Sequence, residues 1–276
     1  MSIVNAYKRI KGSIVAFTRK YENVPPPEFP TIFGTGFIIR EDGVILTNQH
    51  VVDAFSKVFS PPNVTHHGFP VYATIFKETE KGMTYTNLEI LKTGKAKWYF
   101  PEIYYGPKEG LDIAFVHIRV KGLPPVELEE KMILEEGLEV GTAGFPMGTD
   151  LLIAPGWLHQ ATPTLQRGII SSILPFPCKN PHGFTINVMC QGGASGSPVF
   201  HGESGKVIGI LYASLKEPCI FSINNNYYSP PLLPTNISYV VPLYFMTNFL
   251  KKSIELNELK LPQDTKSLNE IIASTK

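Results

Sequence analysis

Three residues far apart in the sequence have the side chains that nucleophilic acyl transfer requires: His50, Asp112 and Ser195. A serine hydroxyl is a poor nucleophile at neutral pH, so it needs a base within hydrogen-bond reach and an acid that orients the base. Imidazole titrates near neutral pH, so it can accept the hydroxyl proton and return it to a leaving amine. The three residues therefore predict attack by Ser195 on a carbonyl carbon, with His50 as the base and Asp112 bound to its second ring nitrogen.

The serine lies in a glycine-rich segment, residues 191–200, that runs directly into an apolar strand. Glycines permit unusual backbone angles and let a substrate carbonyl approach the main chain. We expect the backbone N–H groups of Gly193 and Ser195 to point at one spot, where they would bind the negative oxygen that develops during acyl transfer. Taken alone, such a segment is also typical of a simple turn between two strands, so the prediction depends on its partners.

Both partners stand in contexts that suit the role. His50 comes just past an apolar strand at residues 44–46, and Asp112 stands at the mouth of an apolar run at 111–116. A carboxylate there needs a strong partner to offset its desolvation, and a histidine N–H is such a partner. Cys190 is a possible nucleophile by type, but the glycine segment belongs to Ser195. The other histidines lack the strand-end context and are interpreted as structural or surface residues: His66, His67, His117, His159, His182 and His201.

The order His50, Asp112, Ser195 and six short motifs resemble the trypsin-like serine proteases, and most closely the protease domain of the bacterial HtrA type. The motifs are the serine segment and residues 34–39, 42–48, 141–148, 207–210 and 238–242. The resemblance implies an all-β, chymotrypsin-like fold of two six-stranded antiparallel Greek-key β-barrels with a C-terminal helix. It also implies a serine endopeptidase that hydrolyses polypeptide substrates through an acyl-enzyme and needs no cofactor.

The expected division places His50 and Asp112 in an N-terminal barrel at residues 1–125. Ser195 and the substrate pocket fall in a C-terminal barrel at 126–252, followed by a tail at 253–276, and the whole chain is expected to form one protease unit. The tail is too short for a PDZ domain, which departs from the common HtrA arrangement. The long segment 56–110 is interpreted as an enlarged hairpin of the first barrel, or alternatively as an aromatic rim for substrate or partner binding.

The composition favours short strands joined by turns, because a hydrophobic content of 43% comes with 24 prolines and 23 glycines. Asp42-Gly43 predicts a hairpin between strands at 32–39 and 44–47. Helices are expected at 3–11 and, from its amphipathic pattern, at 242–252. Further strands are expected in the first barrel at 13–18, 70–77, 82–92, 96–100 and 112–118, and in the second near 138–143, 151–159, 164–173, 184–190, 197–201, 206–213 and 237–241.

The resemblance also implies a substrate pocket. The family places the pocket floor six positions before the nucleophile, which is Met189 here, with walls near Tyr212, Ala213, Ser214 and Ile237. None of these residues is a carboxylate, so a basic substrate side chain would be left unpaired. A modest apolar side chain is therefore expected before the scissile bond.

Two residues beside the nucleophile depart from the family. Ala194 stands where secreted digestive-type relatives have an acid that pairs with a freed N-terminus. No such pairing is possible here, so the oxyanion loop must be held by packing or by substrate. Ser197 replaces a glycine that is usual in the family and is expected to be tolerated as a small residue.

Charge and cysteine content limit the classes of partner. With 25 basic and 24 acidic residues the net charge is +1. The sequence therefore has no excess of positive charge that would indicate a nucleic-acid or anionic-membrane partner. No secretory apolar region or membrane span is recognised, so a cytoplasmic location is expected. Three cysteines suit a reducing compartment, in which disulfides are rare. A disulfide between Cys190 and Cys219 remains an alternative. No Cys/His spacing matches a metal site.

Two other functions remain open at this stage. The chain could be a catalytically silent protease-fold protein used for peptide binding or assembly. It could also have a chaperone-like quality-control role in which proteolysis is secondary. The sequence leaves the oligomeric state and the natural substrate undetermined.

Overall fold

The computed structural model describes residues 2–19, 31–56, 71–79, 82–96, 111–129, 133–146, 162–218, 221–223, 226–228 and 232–274. Several predictions lie outside these residues. They concern the strand at 151–159, most of the strand at 96–100, the aromatic residues between 98 and 105, and the residues His66, His67, His159 and Cys219.

The first barrel follows the short helix α1 (Ile3–Ile10) and has six strands: β1 (Ile14–Arg19), β2 (Thr31–Arg40), β3 (Val44–Thr47), β4 (Val71–Thr79), β5 (Gly82–Lys95) and β6 (Ala114–Ile118). They close in the order β1-β2-β3-β6-β5-β4, and all pairings are antiparallel. Between β3 and β4 lies the helix α2 (Gln49–Ser56).

The second barrel closes in the order β10-β11-β14-β9-β8-β7, again with antiparallel pairings. Its strands are β7 (Glu139–Gly144), β8 (Thr164–Leu174), β9 (Gly183–Ile186), β10 (Pro198–His201), β11 (Val207–Pro218) and β14 (Leu232–Pro242), with a separate hairpin of β12 (Phe221–Ile223) and β13 (Asn226–Tyr228). The helices α3 (Leu243–Lys252), α4 (Ile254–Asn257) and α5 (Leu268–Ser274) follow. The predicted pair of six-stranded antiparallel barrels is confirmed.

Several predicted strand ends are wrong. β11 continues to Pro218 and does not end at 213, and β14 begins at Leu232 and not at 237. β9 stops at Ile186 and does not continue to 190. Side chains replace the strand ladder there. The Asn187 Oδ1 accepts a hydrogen bond from the Ile169 N–H at 2.7 Å, and the Val188 carbonyl accepts one from the Ser238 hydroxyl at 2.7 Å. Together with one backbone bond, from the Asn187 N–H to the Ile169 carbonyl at 3.3 Å, they satisfy backbone groups beyond the end of β9, so the chain can leave the barrel toward the serine segment.

Strands of the first barrel bury both of their faces. Because neighbouring side chains of a strand point to opposite sides, Val15 and Phe17 of β1 fill the barrel interior while Ile14 and Ala16 face a second cluster. That cluster, called here the interface cluster, also contains Phe37, Phe115, Phe145, Phe200, Ile210, Val241 and Phe249. It draws residues from both barrels and from α3, which explains why these strands are continuously apolar in sequence.

The two ends of the chain cross between the barrels. Helix α1 lies on the second barrel, where the Tyr7 hydroxyl donates a hydrogen bond to the Pro163 carbonyl at 2.5 Å. The tail returns to the first barrel, where Leu268 of α5 joins its core and donates its N–H to the Lys121 carbonyl at 3.0 Å. The tail is therefore packed against the first barrel through residue 268 and the helix that begins there.

Within the described residues no helix combines the length and the hydropathy that crossing a membrane would require.

The turn between β2 and β3 requires a glycine, as the Asp-Gly signal predicts. Gly43 has a φ of 88°, and a Cβ at this position would overlap the Ile118 carbonyl oxygen, which lies on the neighbouring strand β6. Gly137 is a matched control, because its φ is 90° but a Cβ there would meet no atom within 4 Å.

We predict that Gly137→Ala lowers the free energy of unfolding by about 1–2 kcal/mol, the cost of a left-handed backbone in a residue with a side chain. Gly43→Ala should lower it by at least about 1 kcal/mol more, because it adds steric overlap to the same backbone cost. Denaturant unfolding followed by circular dichroism measures both losses. Equal losses in the two variants would contradict the packing described for this turn.

Candidate active site

Strand pairing brings the regions of His50 and Asp112 together at one edge of the first barrel. Strands β3 and β6 are antiparallel neighbours in which Thr47 pairs with Ala114. His50 lies three residues after that pair and Asp112 two residues before it, so both leave the barrel at the same edge. The register of two apolar strands therefore sets the distance between the two polar side chains.

The Asp112 carboxylate uses both of its oxygens on His50. Its Oδ2 lies 2.5 Å from His50 Nδ1, and its Oδ1 accepts the His50 backbone N–H at 3.0 Å. Asn48 is fully buried and its side-chain amide donates to the Asp112 carbonyl at 2.8 Å, which fixes the backbone of the acid. The His50 side chain is 49% exposed and that of Asp112 24%, so the ring can be reached from solvent while its partner is sheltered.

The helix that begins at Gln49 is fixed to the first barrel by an ion pair between Asp53 and Lys95 of β5. Val51 and Val52 of the same helix belong to the core of that barrel. His50 is therefore carried on a well-anchored helix start.

The serine segment contacts the first barrel through Thr35 of β2. The Thr35 N–H donates to the Ser195 carbonyl at 2.9 Å, and the Thr35 hydroxyl donates to the Gly193 carbonyl at 2.7 Å. The Thr35 carbonyl in turn accepts the Thr47 hydroxyl at 2.7 Å, at the end of the strand that leads to His50. These bonds bring the serine segment to the same edge of the first barrel as His50 and Asp112.

Two glycines allow the close approach of the serine segment. Gly193 and Gly196 have φ values of 89° and 87°. A Cβ on Gly196 would overlap the Thr35 carbonyl oxygen, so only glycine fits between the two barrels at this position.

Hydrogen bonds within the segment orient the peptide group before the serine. The Ala194 carbonyl accepts both the Ser197 N–H at 3.1 Å and the Ser197 hydroxyl at 2.6 Å. In a trans peptide the carbonyl and the following N–H point in opposite directions, so the Ser195 N–H faces away from Ser197. Among the described residues, neither the Ser195 N–H nor the Gly193 N–H donates a hydrogen bond. Both groups are thus available to a ligand.

The hydrogen-bond chain is closed between Asp112 and His50 but not between His50 and Ser195. No hydrogen bond joins these last two side chains where the structure describes them. Such bonds commonly tighten only when substrate is present.

The residues expected to form the pocket lie on β11, on β14 and on the segment that leads from β9 to the serine. Met189 is 41% exposed, with Gln166 donating to its carbonyl at 2.8 Å. Tyr212 packs on the interface cluster, and its ring centroid lies 6.1 Å from that of Tyr239. On β11, Ala213 pairs with Tyr239 and Ser214 with Ser238 of β14, and Ile237 precedes this pair and is partly buried. The assignment of these residues to a substrate pocket stays a prediction.

Cys190 lies in the core of the second barrel and is a free thiol with 5% exposure. Burial raises the pKa of the Cys190 thiol to about 11, and a hydrogen bond with the Ser238 hydroxyl opposes part of that rise. The thiol is therefore neutral at physiological pH.

Two other histidines are engaged elsewhere. His117 is buried with its Nε2 3.0 Å from the Asp42 carbonyl, and burial lowers its pKa. The His201 Nδ1 lies 3.1 Å from the Ser204 hydroxyl. In the part of the chain that is described, no three His, Cys, Asp or Glu side chains lie close enough together to hold a metal ion.

Sequence reasoning missed the roles of Thr35, Thr47, Asn48 and Ser197, although all four lie in quoted motifs. All are buried at 1% exposure or less. Hydroxyl and amide groups in otherwise apolar strands need partners when they are buried, and that was the available signal.

The comparisons with known proteins agree with this architecture. The model of the trypsin-like peptidase domain family matches residues 34–210. The chain is 27% identical over 177 residues to a probable periplasmic serine endoprotease, DegP-like, of Halomonas elongata, covering 64% of this chain and 28% of that protein. It is 26% identical over 198 residues to the putative serine protease HhoB of Synechocystis, covering 70% of this chain and 38% of that protein.

Solved structures show the same fold at lower identity. A serine endoprotease from Yersinia pestis superposes with a TM-score of 0.55 at 17% identity, covering 94% of this chain and 68% of that one. The HtrA-type protease AlgW, solved with a tripeptide, gives 0.53 at 18% identity, covering 93% and 65%.

The chain spans only 28% and 38% of the lengths of the two curated relatives. One of them is named as periplasmic, and the cytoplasmic location expected for this chain stays a prediction. The family match covers more than half of the chain, from residue 34 in β2 to residue 210 in β11. The chain belongs to the trypsin-like peptidase domain family.

Proposed function

We propose that this protein is a serine endopeptidase that hydrolyses polypeptides through an acyl-enzyme. The proposal rests on one observation above all, that both carboxylate oxygens of Asp112 are bound to His50, one to the ring and one to the backbone. That arrangement fixes the ring so that Nδ1 carries the proton and Nε2 is left as the base. A purely structural ion pair would not need a half-exposed imidazole at the mouth of a barrel.

In the proposed reaction Ser195 Oγ attacks the substrate carbonyl carbon while His50 Nε2 takes the hydroxyl proton. The carbonyl π electrons move to oxygen, and the Gly193 and Ser195 N–H groups bind that oxyanion. The C–N bond then breaks, and His50 returns its proton to the leaving amine. Water repeats the sequence on the ester, with His50 again as base, and releases the acid and free Ser195. Every proton is accounted for by one imidazole, so no cofactor is needed.

A catalytically silent role in peptide binding is the competing function. It would not require the Asp112 bonds to His50 or unoccupied N–H groups at Gly193 and Ser195, and both are present. The cytoplasmic location and the polypeptide substrate belong to the same proposal.

The first prediction concerns covalent labelling. A fluorophosphonate probe should react with the wild type, and mass spectrometry should locate the adduct on Ser195. Ser195→Ala should lose the label completely, whereas Ser171→Ala, which changes an exposed serine, should keep it. Asp112→Asn should lower the turnover of a peptide substrate by about 10⁴-fold, because an amide N–H that donates to Nδ1 leaves the ring proton on Nε2, where it cannot act as the base. Absence of labelling in a folded wild type would favour the silent alternative.

The second prediction concerns the side chain before the scissile bond. Fluorogenic peptides that differ only at that position should be cleaved best with a modest apolar residue and worst with Arg or Lys. A basic side chain would find no carboxylate among Met189, Tyr212, Ala213, Ser214 and Ile237. Comparison of kcat/KM across the panel measures the preference. Best cleavage after Arg or Lys would refute the assignment of these residues to the pocket.

The third prediction separates Ser195 from Cys190 as nucleophile. With a pKa of about 11 for the Cys190 thiol, roughly one molecule in a thousand carries the thiolate at pH 8. A short iodoacetamide pulse on the native protein should therefore modify the exposed Cys178 and spare Cys190. Modification of Cys190 should become faster as the pH rises toward 11, and in denaturant. Native modification of both thiols at similar rates would show that Cys190 is reactive.

A further inference from the structure

Thr35 is a fully buried polar residue at the boundary of the two barrels, and all of its polar atoms are used. Its N–H donates to the Ser195 carbonyl and its carbonyl accepts the Thr47 hydroxyl. Its hydroxyl donates to the Gly193 carbonyl at 2.7 Å and accepts the Phe145 N–H at 3.1 Å. One side chain thus connects β2, the serine segment and the end of β7.

These bonds hold the peptide groups before and after the peptide that joins Ala194 to Ser195. The Gly193 carbonyl is bound by the Thr35 hydroxyl and the Ser195 carbonyl by the Thr35 N–H. The Ala194 carbonyl between them is bound by Ser197. Three successive carbonyls are therefore turned toward protein donors. A trans peptide points its N–H away from its carbonyl, so the Ser197 bonds to the Ala194 carbonyl set the direction of the Ser195 N–H. The two Thr35 bonds hold the peptide groups on either side of that peptide.

Ala194 has no charge, so it cannot form the ion pair that holds the corresponding segment in the secreted digestive-type relatives. Ala194 is 4% exposed and apolar, so it can provide packing but no charge. A buried neutral hydrogen bond can hold the loop in its place, since it gains strength from the low dielectric of its surroundings.

We propose that Thr35 is a positioning residue for the reaction, whose hydroxyl holds the Gly193 carbonyl and so keeps the oxyanion-binding N–H groups aligned beside Ser195. The inference deepens the proposed function and rests on it. Thr35 does not touch substrate, and it acts through the serine segment.

Threonine suits this position for a stereochemical reason. Its hydroxyl must donate and accept at the same time, which valine cannot do and serine can. Its β-branching restricts χ1, so the hydroxyl keeps one direction. Space for it is left by Gly144, where a Cβ would lie 2.9 Å from the Thr35 hydroxyl oxygen.

The test compares Thr35→Val, which keeps the shape but removes the hydroxyl, with Thr35→Ser, which keeps the hydroxyl. Removal of one oxyanion donor costs about 10²–10³ in kcat. Thr35→Val misaligns donors but does not delete them, so its kcat should fall by about ten- to a hundredfold while KM changes by less than about twofold. Thr35→Ser should recover kcat to within about threefold of the wild type.

A matched control removes a buried hydroxyl elsewhere. Thr18 is fully buried on β1, and its hydroxyl lies 2.6 Å from that of Thr74. Thr18→Val should lower the melting temperature without lowering kcat. All variants are assayed well below their melting temperatures. If Thr35→Val does not fold, Thr35→Ala takes its place with the same expectation.

Inhibition gives a second readout that loss of stability would not move. A peptide aldehyde forms a tetrahedral adduct with an oxyanion, so its inhibition constant should weaken in Thr35→Val by the same factor as kcat/KM. A non-covalent product peptide should bind equally well to both proteins. Wild-type kcat in Thr35→Val, with Ser195 labelled in both proteins, would overturn this inference and leave the proposed function intact. A wild type that takes no label at Ser195 would overturn both.

Discussion

The burial of one apolar layer between two closed barrels is the interaction on which the rest of this structure depends. The interface cluster contains residues of β1, β2, β3 and β6 from the first barrel, β10, β11 and β14 from the second, and α3. Each fully buried phenylalanine in it contributes roughly 1.5–3 kcal/mol relative to an exposed one. Because the residues of the candidate site come from both barrels, the distances between them depend on how this layer packs. His50, Asp112 and the serine segment lie together at one edge of the first barrel, where Thr35 binds the serine segment.

The site is polar, but its positions are determined by apolar strands and by a small number of buried hydroxyls. The pairing of Thr47 with Ala114 relates His50 to Asp112, and the bonds of Thr35 relate both to the serine segment. Unpaired buried polar groups are costly, so each of these bonds also excludes alternative registers. The same residues therefore contribute to the stability of the fold and to the geometry of the candidate site.

Most of the fold could be predicted because its signals are local. Apolar runs such as 44–46 and 111–116 indicate buried strands, and Asp42-Gly43 indicates a tight turn whose positive φ the structure confirms. The end of β9 could not be predicted, because it depends on side-chain bonds from Asn187 and Ser238 that replace the ladder. The contact of the tail with the first barrel likewise joins Leu268 to Lys121, residues with no local pattern in common. At the site, residue type and strand context were enough to select His50, Asp112 and Ser195 as candidates, but the role of Thr35 depends on a contact that spans 158 positions of sequence.

The crossing of the chain ends bears on how the molecule can move. Helix α1 is bonded to the second barrel and α5 to the first, while the chain between the barrels adds a β-bridge from Leu128 to Val207. A rigid-body rotation of one barrel relative to the other would have to break these attachments and also separate the two sides of the interface cluster. Three separate attachments and the interface cluster therefore resist any change in the relative orientation of the two barrels.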